Sequence, residues 1–335
     1  MSQKSIVFSG IQPTGELTIG NYIGALSQWK LMQKKYFCIY CIADLHALTN
    51  IQHNNVLQNN ILDTLSILLA CDIDPLKNII FLQSDIPYHN QLNWILNCFT
   101  HFGELNRMTQ FKNKKIYNQQ INVGLFNYPI LMASDILLYQ ATKIPVGKDQ
   151  IQHLELTRTI ANRFNNIYGK IFNIPTQIVK KYGNSIMSLL NPLKKMSKSD
   201  TNKNNIISLF DNNTTVKKKI LHAVTDSDNP PLIIYNTKSK PGISNLLNIL
   251  SNITNISIKK LEIQFHNKSY MDFKFYLVEK LCTFLTNLRK KYNFYRQNEE
   301  YLNNILNNGS KKAKTQALIT LNKVYKSLGI RQKSD

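Results

Sequence analysis

Ser5-Ile6-Val7-Phe8-Ser9-Gly10-Ile11-Gln12-Pro13-Thr14-Gly15-Glu16-Leu17-Thr18-Ile19-Gly20-Asn21 is the stretch that decides the fold. Its apolar start predicts a short strand over residues 5–9, stopped by Gly10 and Pro13. A helix is expected over 20–34, with Ile23, Leu26 and either Lys30 or Met32 near the three-four spacing of one face. Residues 36–43 read as a second strand. Residues 54–70 read as a helix, striped by Ile61, Leu62, Leu65, Leu68 and Leu69, and 78–82 as a third strand. Such alternation predicts a parallel sheet with helices on its faces. Ligands then sit at the carboxyl ends of the strands. The turn 12–20 and the corner Asp44-Leu45-His46 both fall there. Helices are expected over 92–109, 123–139 and 149–168. Beyond Ser199 strand signals fade, and helices are expected over 214–223, 244–253, 271–292, 295–306 and 311–328. The fold class is therefore α/β. A Rossmann-like parallel-sheet domain spans 1–200 and a helical domain 201–335, whose last helix could pack back on the first.

A chain of 335 residues has room for about two domains. No apolar run approaches the ~18–20 residues of a membrane helix, and residues 1–10 lack a secretory apolar stretch. The expected location is the cytoplasm. Lys and Arg number 41 against 20 Asp and Glu, a net charge of +21. This excess fits a polyanion partner. It also fits codon bias, since the chain is crowded with Asn, Ile and Lys. Five cysteines, an odd number, suit a reducing compartment. Cys38 and Cys41 form a CxxC pair without a second pair at zinc spacing. They lie in a strand-like apolar stretch and read as core thiols, so no protein-held metal is expected.

Two segments carry chemistry. In Gln12-Pro13-Thr14-Gly15 followed by Gly20-Asn21, the glycines allow close backbone approach, and a helix onset near Gly20 could offer N–H groups to phosphate. The bland reading is a Pro-Gly turn leading into a helix. The second segment, residues 194–200, contains Lys195-Met196-Ser197-Lys198-Ser199. Two lysines three apart can reach different phosphate oxygens, and serine hydroxyls add hydrogen bonds. Lysine is a flexible point charge suited to a departing pyrophosphate. A solvated basic loop is the alternative, and Lys217-Lys218-Lys219 shows that basic runs are common here. The two segments in this order point to adenylate chemistry.

The pair resembles the signatures of class I aminoacyl-tRNA synthetases. Thr18-Ile19-Gly20-Asn21 stands at the His-Ile-Gly-His position, and Lys195 to Ser199 matches the second signature intact. Further stretches are similar to bacterial tryptophanyl-tRNA synthetases. They are 8–15, Asn127-Tyr128-Pro129-Ile130-Leu131-Met132-Ala133-Ser134-Asp135-Ile136-Leu137-Leu138-Tyr139, Pro145-Val146-Gly147 before Asp149-Gln150, Thr109-Gln110-Phe111-Lys112 and 223–228. The similarity covers nearly the whole chain. Thr18 and Asn21 replace both histidines, as is common in the tryptophan branch. Lys148 stands where a Glu is usual, a charge reversal beside the ribose position that leaves the role of side chain 148 open.

The resemblance implies a tryptophan–tRNA ligase using ATP with Mg²⁺ on the phosphates, acting on L-tryptophan and tRNA(Trp), commonly as a homodimer. The helical second half would bind the anticodon arm. Gln12, Pro13, Thr14, Gly20, Asn21, Gly147, Lys148, Asp149, Ile186, Lys195, Met196, Ser197, Lys198 and Ser199 would surround ATP. Lys195, Lys198 and Lys114 would act on the phosphates, although Lys115 beside Lys114 leaves the register open. Phe8, Met132 and Val146 would line the indole. Tyr128 and Gln150 would lie near the ammonium, and His46 near the same site. Asp135 is the only ionised residue of 128–139, with Met132 on the same helix face. It is either a solvated helix residue or the acceptor of the indole N–H, as the matching family residue is. A satisfied structural role is the alternative for His46, and a plain surface lysine for Lys114. Three other readings share much of this pattern: a tyrosine-specific synthetase, a nucleotidyltransferase of the same superfamily, and a non-catalytic RNA-binding paralogue.

Overall fold

The computed structural model describes residues 4–49, 54–112, 122–147, 150–178, 185–198 and 200–331. Strands β1 (Ile6–Ile11), β2 (Phe37–Ile42), β3 (Ile79–Leu82), β4 (Lys143–Ile144) and β5 (Thr176–Gln177) form one parallel sheet in the order β3-β2-β1-β4-β5. The central strand, β1, outruns the expected stop at Gly10. Gly10 stays in the ladder opposite Cys41, and Ile11 opposite Ile42. The ladder ends where Ala43 N–H donates to Ile11 O at 2.8 Å, just before Pro13, which has no N–H to continue it.

Alternate strand residues point to opposite faces. Val7, Cys38, Tyr40, Ile42 and Ile80 enter one buried cluster. Phe8, Ile39, Cys41 and Phe81 enter the other. The first face is covered by helical residues 19–32 and by Asn54–Ala70. Thr18 caps the segment 19–32, a π turn spans Tyr22–Leu26, and Trp29 and Met32 rather than Lys30 continue its buried face. The second face is covered by helices Tyr88–Asn97, Val123–Leu138 and Ile151–Tyr168. Cys38 and Cys41 are buried free thiols.

Two expectations fail for identifiable reasons. The helix read over 92–109 is two, Tyr88–Asn97 and Phe102–Asn106. His101 is extended (φ −87°, ψ 140°), and its N–H donates to Glu104 at 2.9 Å. This capping box restarts the chain. The two helices read over 295–306 and 311–328 are one, Glu299–Leu328. Gly309 looks like a break but is a packing site. A Cβ there would lie 1.7 Å from Ile80 O of β3, so the helix can press its backbone onto the strand only through glycine. Next to it, Ser310 Oγ donates to Asp85 Oδ2 at 2.6 Å. β4 and β5 went unread because two-residue strands show no alternation. Further helices among the described residues include the short Asp44–Ala47, then Asn213–His222, Pro241–Thr254, Ile258–Gln264 and Tyr270–Arg296.

Candidate active site

The carboxyl ends of β1, β2 and β3 converge on one cleft. Past β1, Thr14 N–H closes a tight turn on Gln12 O (2.9 Å), and Gly15 takes φ +64°. Thr18 and Asn21 bind each other: Thr18 N–H and Oγ1–H donate to Asn21 Oδ1 at 2.9 and 3.0 Å. This helix onset is less open than expected. Ile19 N–H is taken by Ile207 O (2.9 Å), and Asn21 N–H turns back to Thr18 O (2.9 Å). Leu209 N–H also donates to Leu17 O, so residues 207–209 brace the turn from outside.

The basic segment lies against this onset. Residues 186–188 and 194–196 pair antiparallel, with Met196 N–H donating to Ile186 O at 2.9 Å. Ile186 and Met196 are buried. A Cβ on Gly20 would sit 3.6 Å from Ile186 Cβ and 3.7 Å from Met196 Sδ. The two segments are therefore neighbours. Lys195 and Ser197 face solvent, whereas Lys198 is half-buried. Lys198 Nζ donates to Thr14 O and, at 2.6 Å, to Thr14 Oγ1. Burial pushes its ammonium below the ordinary lysine value. A half-buried cation held by neutral oxygens gains most when an anion arrives.

A second cluster lies on the other face of the sheet. Asp135 is buried in helix Val123–Leu138. Its Oδ1 accepts from His89 Nδ1 (2.6 Å) and Gln83 Nε2 (2.8 Å). Its Oδ2 accepts from His46 Nε2 (2.8 Å) and Gln83 Nε2 (3.0 Å). Burial alone would raise the carboxyl. The hydrogen bonds from His46 and His89 outweigh it and hold Asp135 well below the usual carboxylate range. Phe8 stacks on Tyr139, with centroids 5.6 Å apart and planes at 10°. Met132 and Val146 are partly buried against the same cluster. His46 meets Tyr128 edge-on at 6.3 Å. Tyr128 and Gln150 are joined through His153, whose Nε2 lies 2.9 Å from the Tyr128 hydroxyl and whose Nδ1 lies 2.7 Å from Gln150 Oε1. With that amide oxygen as acceptor, Nδ1 carries the proton and Tyr128 O–H donates to Nε2.

The structure thus gathers Gln12, Pro13, Thr14, Gly20, Asn21, Ile186, Met196 and Lys198 into one cleft, with Lys195 and Ser197 on its exposed loop. It packs Phe8, Met132 and Val146 into the core cluster on the Asp135 side of the sheet, and links His46 to Asp135 and Tyr128, and Tyr128 through His153 to Gln150, while Gly147 is exposed. Lys114, Lys148, Asp149 and Ser199 lie outside the described residues. Sequence reasoning missed Gln83, His89, Tyr139 and His153. A signal existed for both histidines, since each sits on an apolar stripe (His89, Leu92, Leu96; His153, Thr157, Ile160) where a buried imidazole needs partners. Asn245 was missed too. From helix Pro241–Thr254, its Oδ1 accepts from Met187 N–H (2.8 Å) and its Nδ2 donates to Met187 O (2.9 Å), at the base of the basic loop.

Comparison with known proteins agrees with this geometry. The family model for class I tRNA synthetases (W and Y) matches residues 1–286. The chain is similar to a tryptophan–tRNA ligase of Wigglesworthia glossinidia brevipalpis, 57% identical over 98% of this chain and 99% of that one. Among solved structures it resembles a tryptophanyl-tRNA synthetase from Mycoplasma pneumoniae, at TM-score 0.91 and 36% identity over 98% and 99% of the two chains. It also resembles one from Campylobacter jejuni complexed with ADP and tryptophan, at TM-score 0.82 and 36% identity over 97% and 100%.

Proposed function

We infer the reaction from membership: the chain belongs to the class I tRNA synthetases (W and Y), and it is an aminoacyl-tRNA ligase whose amino acid is tryptophan. In the first step the tryptophan carboxylate attacks the α-phosphate of ATP in line, giving tryptophanyl-adenylate and pyrophosphate. In the second, a terminal ribose hydroxyl of tRNA(Trp) attacks the adenylate carbonyl and releases AMP.

Residues 12–14, Gly20 and Asn21 hold the nucleotide, with Gly147, Lys148, Asp149 and Ile186 on its ribose and base side. Lys195 and Lys198 follow the phosphates, joined by Lys114, Ser197 and Ser199. Mg²⁺ travels on the phosphates and adds positive charge there. No side chain acts as a covalent nucleophile. Catalysis is positioning together with charge stabilisation in the transition state. Phe8, Met132 and Val146 wall the indole, Asp135 accepts its N–H, and Tyr128, Gln150 and His46 surround the amino-acid end. A pocket built around a donor rejects analogues lacking it by roughly 10⁴–10⁵, which excludes phenylalanine. Tyrosine fails on shape. The helical region 201–335 takes the anticodon arm, and its lysines supply salt-dependent phosphate contacts. The protein works in the cytoplasm as a homodimer.

One observation carries this reading. Lys198 reaches Thr14 across 184 residues of sequence, so the two signatures form a single cleft. ATP–pyrophosphate exchange across a panel of amino acids tests it. Exchange should depend on tryptophan and stay at background with tyrosine and phenylalanine. Exchange driven best by tyrosine would overturn the assignment.

A further inference from the structure

We propose that His89, held by the Tyr139 hydroxyl, is a positioning residue for the indole: it pins Oδ1 of Asp135 and leaves Oδ2 as the oxygen offered to the substrate N–H. The proposal rests on the tryptophan reading above.

A carboxylate has about four lone-pair directions. Three donor nitrogens converge on Asp135: His89 Nδ1 on Oδ1, His46 Nε2 on Oδ2, and Gln83 Nε2 shared between both oxygens. An indole N–H therefore enters on the oxygen whose histidine leaves it room. The candidates differ sharply. His89 is fully buried. Its ring stacks on Phe81 at 5.8 Å and tilts against Tyr139 at 5.5 Å. Both its ring nitrogens are engaged, Nδ1 by Asp135 and Nε2 by the Tyr139 hydroxyl at 2.9 Å. Its carbonyl accepts from Ser134 Oγ at 2.9 Å, which ties helix Tyr88–Asn97 to the helix that carries Asp135. His46, also buried, instead sits on the four-residue helix Asp44–Ala47, where its ring meets Tyr128 edge-on and its side-chain hydrogen bond is the one to Asp135. His46 is thus the donor that yields, and His89 the one that stays.

Asp135 fixes the tautomer and Tyr139 fixes the ring. An ionised carboxylate only accepts, so His89 Nδ1 carries a proton. In the neutral imidazole Tyr139 O–H then donates to the Nε2 lone pair. Burial pushes the phenol well above its ordinary value and keeps it a donor. The chain Tyr139 O–H to His89 to Asp135 therefore runs one way through two rigid helices, the arrangement that holds a recognition group in place. Without the hydroxyl, Nε2 loses its buried partner, and the imidazole is free to turn or shift away from Oδ1.

Tyr139→Phe is the variant to make, because it keeps the ring against Phe8 and Phe81 and removes only the oxygen. Tryptophan-dependent ATP–pyrophosphate exchange gives the KM for tryptophan. Competition gives the inhibition constant of the benzothiophene analogue, which has sulfur in place of the N–H. The KM for tryptophan should rise roughly tenfold while that for ATP holds, and the preference for tryptophan over the analogue should narrow by a similar factor. His89→Asn, which keeps an N–H donor on a shorter side chain, should retain more of that preference than His89→Ala. It decides the question on the same ratio if Tyr139→Phe does not fold. An unchanged preference in a cooperatively folded variant would overturn the positioning role. Absence of tryptophan-dependent exchange in the unaltered protein would instead overturn the reading beneath it.

Discussion

The nucleotide cleft and the Asp135 pocket meet at the carboxyl ends of the strands, backed by opposite faces of the sheet, and solve opposite problems. In the cleft the working cations are exposed or half-buried, and Lys198 rests on neutral oxygens of Thr14. In the pocket His46, Gln83, His89, Asp135 and Tyr139 are all buried, and three donor nitrogens hold the carboxylate, Gln83 Nε2 bridging its two oxygens. The first site is built to exchange partners as phosphates arrive and leave. The second is built to hold one geometry. Long flexible lysines suit a charge that moves. A saturated buried network suits a choice between substrates that differ by one N–H, because unpaired buried groups are costly.

The largest effect should come from the cleft. Lys198→Ala should cut adenylate formation by roughly 10²–10³-fold in kcat with little change in the KM for tryptophan, since its phosphate contacts strengthen in the transition state. Pyrophosphate exchange measures both. An equal loss in the two parameters would erase the division of labour between the regions.

Asp135→Asn tests the pocket. It should raise the KM for tryptophan roughly 10- to 100-fold, the scale of hydrogen bonds to a charged group, and leave kcat nearly alone. It also makes a pH prediction. The folded carboxyl lies below its unfolded value of about 4, so the unfolded chain binds more protons as pH falls past that value. The stability Asp135 contributes is complete above about pH 4 and is lost as pH falls toward its folded pKa. The gap in unfolding free energy between the protein and Asp135→Asn should therefore narrow on acidification. A gap that widens would reverse the sign of the shift.

The same contrast explains what could be read in advance. The cleft is made of contiguous segments, Gln12 to Asn21 and Lys195 to Lys198, so its parts are visible as strings. The pocket is assembled from single side chains scattered over many elements, from strand Ile6–Ile11 to helix Ile151–Tyr168. Asp135 and Phe8 were legible through motifs; Tyr139 closes the same stretch as Asp135 without a role being read from it, and Gln83 has no local pattern around it. The parallel core was legible because β1, β2 and β3 are apolar runs between turn residues. The last helix was misread as two, because a glycine in a helical stretch signals a break unless the strand it presses on is known.

Gly309→Ala probes that strand's hold on the pocket. Its Cβ would meet the backbone of Ile80, which cannot turn aside as a side chain can. β3 or the helix must shift, at a cost of ~1–3 kcal/mol, readable by chemical denaturation. Gln83 follows β3 directly, so the KM for tryptophan should rise while that for ATP holds. Equal changes in both would mean that the helix supports the whole sheet rather than the pocket.

The smallest effect should come from Asn245→Ala, and it bears on the cleft alone. Asn245 is buried in helix Pro241–Thr254 and binds both the N–H and the carbonyl of Met187. Met187 bridges to Lys195 at the root of the basic loop. The side chain fixes where the loop starts without touching the phosphates itself. Its removal costs the net worth of those hydrogen bonds, about 0.5–1.5 kcal/mol each. Only the part that changes between ground and transition states reaches kcat. The expected result is a roughly three- to tenfold fall in kcat for pyrophosphate exchange, with the KM for tryptophan unmoved. A rise in that KM instead would mean that the loop's root and the indole pocket are mechanically joined, and that the two faces of the sheet do not act separately.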